Sequence, residues 1–74
     1  MKYDVLQVAG GLRNHIGEMS ETEVCAHVAT RAGYEVAEID AMLSEIEVNG
    51  KATVEFQDSR GIKTRIHIRP FSFN

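Results

Sequence analysis

A single cysteine, Cys25, in 74 residues excludes an intramolecular disulfide, and with it the usual staple of a small secreted scaffold. No apolar run approaches the roughly 18 residues of a membrane span, and Met1-Lys2-Tyr3-Asp4 leads into no uncharged signal core. A cytoplasmic protein without membrane contact is the expectation. Equally absent are a glycine-rich phosphate loop, a nucleophile with a base and orienter, and a carboxylate pair beside an evident pocket, so no enzymatic activity is expected. Cys25 and His27 fall about 200° apart on a helix, and only His15 and His67 remain as distant helpers. Neither a metal nor any other cofactor is therefore expected. A chain this short buries about 60% of its unfolded surface and has room for one core, in residues 1–70, with 71–74 as a tail.

What the sequence does have is a charge asymmetry. Residues 1–50 hold three Lys or Arg against nine acids, while residues 51–74 hold five against two, within a total of −3. An asymmetry of this kind can orient a charged partner.

Val5, Ala9, Leu12 and Ile16 follow the i, i+4, i+7, i+11 spacing of a helix face, which predicts a first helix over 3–16, weakened or bent at Gly10-Gly11 and ended by Gly17. Ser20-Glu21-Thr22-Glu23 has the spacing of a capping box and opens a second helix over 21–32, with Val24, Cys25, Val28, Ala29 and Ala32 in one arc toward the core and Gly33 closing it. A third helix over 35–49 carries Val36, Ile39, Leu43 and Ile46 on one face and stops at Asn49-Gly50. The period then changes from 3.6 to 2. Ala52, Val54 and Phe56 alternate with polar residues, and after Asp58-Ser59-Arg60-Gly61 so do Ile62, Thr64, Ile66 and Ile68, giving a β-hairpin with strands over 51–57 and 62–69, ended by Pro70.

Three helices followed by a two-stranded wing is the order of the winged helix-turn-helix superfamily, and the chain resembles it over most of its length. The run Ile39-Asp40-Ala41-Met42-Leu43-Ser44-Glu45-Ile46-Glu47-Val48-Asn49-Gly50-Lys51-Ala52 is similar to the third helix and wing entry of small bacterial members, the FeoC-like group of ferrous-iron transport among them. Small phage and plasmid regulators share the architecture. The FeoC-like group carries a cysteine cluster in the wing; Lys51 to Pro70 has none, so no iron centre follows from the likeness. The resemblance implies an α+β winged helix-turn-helix domain and a DNA-binding regulator.

In that mode the third helix reads bases with Arg, Lys, Asn or Gln. Residues 34–48 contain none of these, and Glu35, Glu38, Asp40, Glu45 and Glu47 would repel phosphate. The expected contact surface is the wing instead. Lys63, Arg65, His67 and Arg69 share one strand face over about 20 Å, with Arg60 at the tip and Lys51 at the entry, suited to a row of DNA phosphates or to an acidic protein surface. The plain demand that an exposed strand face be polar, with cations guarding an edge strand, yields the same pattern. Ala37, Ala41, Ser44 and Val48 form a low stripe on the third helix, a possible protein-docking face, although alanine is also simply a good helix former. A protein-interaction adaptor or inhibitor is the alternative function. A homodimer could form through the Gly10-Gly11 face, the hairpin edge, or Phe71 and Phe73.

Overall fold

A computed structural model describes residues 1–71. The order is β1 (Lys2–Ala9), β2 (Leu12–Ser20), α1 (Glu21–Ala32), α2 (Val36–Asn49), β3 (Ala52–Gln57) and β4 (Lys63–Pro70). The strands form one antiparallel sheet in the order β2-β1-β4-β3, and both helices lie against one of its faces. The fold is α+β, but it is not a winged helix-turn-helix, because the segment expected as the first helix is a β-hairpin.

The physical reason for that correction lies in Gly10-Gly11. Ala9 pairs with Leu12, leaving the two glycines as a two-residue loop with φ of 56° and 83°. Positive φ at both central positions is the turn whose twist matches a β-hairpin, and glycine enters it without the steric cost other residues meet. The 3.6-residue spacing of Val5, Ala9, Leu12 and Ile16 was coincidental; Tyr3 and Val5 are buried as alternate residues of one strand face.

The second, third and fourth expectations fare better. Ser20 and Glu23 form the capping box, the Glu23 amide donating to Ser20 Oγ at 3.2 Å and the Ser20 amide to Glu23 Oε1 at 3.0 Å. Gly33 and Gly50 close the two helices, and the 3.6-to-2 change of period marks the passage from α2 to the β3–β4 hairpin. That hairpin is no free-standing wing. β4 is hydrogen-bonded by β1 on one side and β3 on the other, so its cations guard no edge.

The core lies between sheet and helices. Tyr3, Val5, Ala52, Val54, Ile66 and Ile68 from the sheet meet Val24 and Val28 of α1 and Met42 and Ile46 of α2. Ala29 is exposed rather than inward, and Val36 is 77% exposed, so both helices present narrower apolar faces than their spacing predicts. The Tyr3 hydroxyl donates to Glu21 Oε1 at 3.3 Å, joining β1 to the start of α1. Burial, and then Glu21, push the Tyr3 hydroxyl pKa up.

A bulge in β2 sets which residues face outward. Val5 pairs with Gly17 but Leu6 pairs with His15, so Ile16 is an extra residue and Gly17 turns the chain at φ 104°. A regular ladder would pair Leu6 with Ile16 and send His15 to the helix side. The slip packs Ile16 against the core and leaves His15 on the opposite face.

Candidate functional site on the open sheet face

Among the described residues, no element covers the sheet face away from the helices. Directly paired residues in antiparallel strands share a face, so the register gives its composition row by row. Glu18, Asp4 and Arg69 form one row across β2, β1 and β4; His15, Leu6, His67 and Thr53 form the next; Arg13, Val8, Arg65 and Glu55 follow. Lys63 pairs with Gln57 beyond them, Lys2 stands at the start of β1, and Lys51 immediately precedes β3.

Six of the eight Lys and Arg residues thus share this face: Lys2, Arg13, Lys51, Lys63, Arg65 and Arg69. Only Asp4, Glu18 and Glu55 oppose them, a surplus of three positive charges. Residues 21–49, which make the helical layer, carry seven acids against Arg31 alone. The charge division read between the two parts of the chain is therefore a division between layers, with the same net −6 and +3.

Four of the expected contact residues share one face: Lys63, Arg65, His67 and Arg69 project alternately from β4 on the side away from the helices, with Lys51 at the entry to β3. Arg60 does not join them. Its guanidinium meets Asp58 Oδ2 at 3.3 Å in the β3–β4 loop, and it borders a hollow with Gln7, Leu12 and Asn14, whose register places them on the helix side of the sheet. The Asp58 carboxylate, accepting from the Ile62 and Arg60 amides, is held below the usual carboxylate range by those bonds, so the loop is internally satisfied.

Lys2, Asp4, Arg13 and His15 also belong to this surface, which a helix over 3–16 does not predict. The Gly-Gly dipeptide between two alternating stretches was the available signal.

Asp4 organises the centre. Its Oδ1 meets His15 Nε2 at 2.6 Å and its Oδ2 accepts from Arg69 Nη2 and Nε, each at 3.2 Å; the Asp4 side chain is 15% exposed. The His15 bond first, and Arg69 next, hold the carboxyl below its ordinary pKa against the opposing effect of desolvation. His67 is oriented by its own contact, Nδ1 lying 3.2 Å from Thr53 Oγ1. Arg65 meets Glu55 at 3.5 Å and Lys2 meets Glu18 at 3.8 Å, both exposed pairs of the kind worth roughly 0–1 kcal/mol and readily exchanged for another anion. Among the described residues Arg13, Lys51 and Lys63 have no acidic partner within salt-bridge distance. A concavity of about 520 Å³ opens among Asp4, Arg13, His15, Lys51, His67 and Arg69.

On the helical side, Ala37, Ala41, Ser44 and Val48 are all exposed, Val48 at 81%. Cys25 is half-buried on α1, and burial, followed by Glu21 and Asp40, pushes its thiol pKa up, away from reactivity. His27 is half-buried, and burial, then Arg31, lower its pKa. Gly10-Gly11 is a turn and offers no helix face for pairing. The Phe71 amide donates to Lys2 O at 2.8 Å, while Phe73 lies outside the described residues. No described helix is long and apolar enough to cross a membrane.

Comparison with protein-family models, with curated proteins and with solved structures finds no match to this chain.

Proposed function

We propose that this chain is a non-enzymatic, cytoplasmic DNA-binding protein of the regulatory kind, which contacts phosphates with the open face of its sheet. The observation that carries this reading is the segregation of charge: six of eight Lys and Arg on one uncovered, strand-built surface, and seven of eleven acids in the layer behind it. Strands fix the spacing of such groups, at about 6.7 Å between alternate residues, better than loops would. A layer of acids on the far side turns the cationic face toward a polyanion during encounter. The acidic α2 stays out of the groove, so contact is with the backbone and little sequence is read.

The test is filter binding to duplex DNA across a salt series. About four phosphate contacts give a log K against log salt slope of roughly −3.6, and Arg65→Ala reduces its magnitude by about 0.9. Absence of any salt-sensitive DNA affinity overturns the reading. One observation favours a second: Asp4, Glu18 and Glu55 are interspersed among the cations, a mixed pattern suited to a bounded, largely acidic protein surface. A protein partner captured through Arg65 in the absence of DNA affinity would establish that alternative.

A further inference from the structure

The cations of the open face are not evenly spread, and the gathering around the larger hollow differs in charge from the rest. Arg13 from β2, Lys51 ahead of β3 and Arg69 from β4 border the hollow of about 520 Å³, with Asp4 of β1 as its acid. The charges of Arg13, Lys51, Arg69 and Asp4 sum to plus two. The carboxylate is not a free repulsive group, because its two oxygens are already engaged by His15 and Arg69. Of the three cations, Arg13 and Lys51 have no acidic partner within salt-bridge distance among the described residues. Arg69 spends Nε and one terminal nitrogen on Asp4, leaving the rest of its five-donor fork for a ligand, with its side chain 72% exposed. The rim also carries Thr53 and two imidazoles held by hydrogen bonds, His15 by Asp4 and His67 by Thr53.

From this geometry we infer that the hollow is a subsite for a terminal phosphate of a nucleic-acid strand, a monoester rather than an internal diester. The inference rests on the reading of the open face as a nucleic-acid surface and deepens it. A monoester carries about −1.5 to −2 at neutral pH, while a diester carries a single charge. The charge of a monoester lies closer than that of a diester to the plus two of the site, and its terminal oxygens can accept charge-assisted hydrogen bonds from cations of that rim. The volume falls within the range of small-ligand pockets, enough for the phosphate and part of the nucleotide that bears it. Lys63 and Arg65 do not border the hollow and would meet the following diesters. The strand would then run from its end in the hollow along the face toward the β4 start.

The experiment compares a ten-nucleotide DNA single strand carrying a 5′-phosphate, the same strand carrying a 3′-phosphate, and the strand with neither, by fluorescence anisotropy with the full chain at low salt. At least one phosphorylated strand should bind about tenfold more tightly than the unmodified one. Arg13→Ala and Lys51→Ala should each remove most of that ratio, whereas Lys63→Ala should weaken all three strands alike and leave the ratio intact. These side chains are exposed, and circular dichroism confirms that each variant keeps its fold. Equal, salt-sensitive binding of all three strands overturns the subsite and leaves the wider nucleic-acid reading standing. A ratio that survives in both Arg13→Ala and Lys51→Ala overturns it too. No binding of any strand overturns the subsite; the wider reading falls with it only if duplex DNA also shows no salt-sensitive affinity.

Discussion

Asp4 couples stability to acid through two partners at once. Its carboxylate is taken by His15 at 2.6 Å and Arg69 at 3.2 Å, and these contacts lower its folded pKa. The unfolded chain, with an ordinary aspartate near 3.9, binds this proton at higher pH than the folded one does. The contribution is therefore complete above the unfolded value and is lost as pH falls below about 4 through the folded value. Asp4→Asn is expected to lower the urea midpoint most at neutral pH and least below about pH 4, so that the acid limb of the stability curve flattens in that window, as read by urea midpoints at successive pH. An unchanged acid limb would mean that the two contacts do not persist in solution. At this same scale the sequence was informative where chemistry is local. The Ser20–Glu23 capping box needs only three residues of chain to be recognised, and it formed. Asp4 and Arg69 stand 65 residues apart, and nothing short of the sheet register brings them together.

Among the elements, β2 owes its outward face to one irregularity. Gly17 at φ 104° admits the bulge that puts Ile16 inward and His15 outward. Space is not the obstacle to a side chain there, since a β-carbon would meet nothing within 4 Å; the backbone angle is. Gly17→Ala is expected to cost about 1–3 kcal/mol by urea denaturation, the range for a residue held in a sparsely populated backbone region. The same variant should shift the His15 imidazole resonances if the ladder relaxes to a regular register. A stability equal to wild type would show that the positive angle is not maintained. The bulge also explains why half of the sheet was illegible. Period-2 alternation holds through Lys63 to Arg69, so the outward set of β4 could be listed from the sequence alone. In β1–β2 the alternation breaks at Ile16, and Val5, Ala9, Leu12 and Ile16 fall by chance at helical spacing. Gly-Gly read as a flaw within a helix was the turn that makes the hairpin. Both helices were legible because their caps and their apolar spacing agree.

Taken whole, the molecule has a net charge of −3 and a face of the opposite sign, so net charge and surface contact make separable demands on a polyanion. Long-range attraction depends on total charge and is screened within about 10 Å at 0.1 M salt, whereas the salt slope counts phosphates that displace counterions at the contact. Two double variants distinguish them. Glu45→Gln with Glu47→Gln removes two exposed acids from α2 and makes the protein less negative by two charges. Lys63→Gln with Arg65→Gln removes two exposed cations from β4 and makes it more negative by two. If contact is made by the sheet, the first pair tightens DNA binding at low salt and leaves the slope where it was. The second pair lowers the magnitude of the slope by about 1.8, two contacts at about 0.9 each, and weakens binding most at low salt. Equal and opposite changes in affinity with no change of slope in either would mean that DNA responds to the sum of charges and not to a surface. A slope lost from the helical pair would place the contact on the layer behind the sheet, where seven acids stand against one arginine.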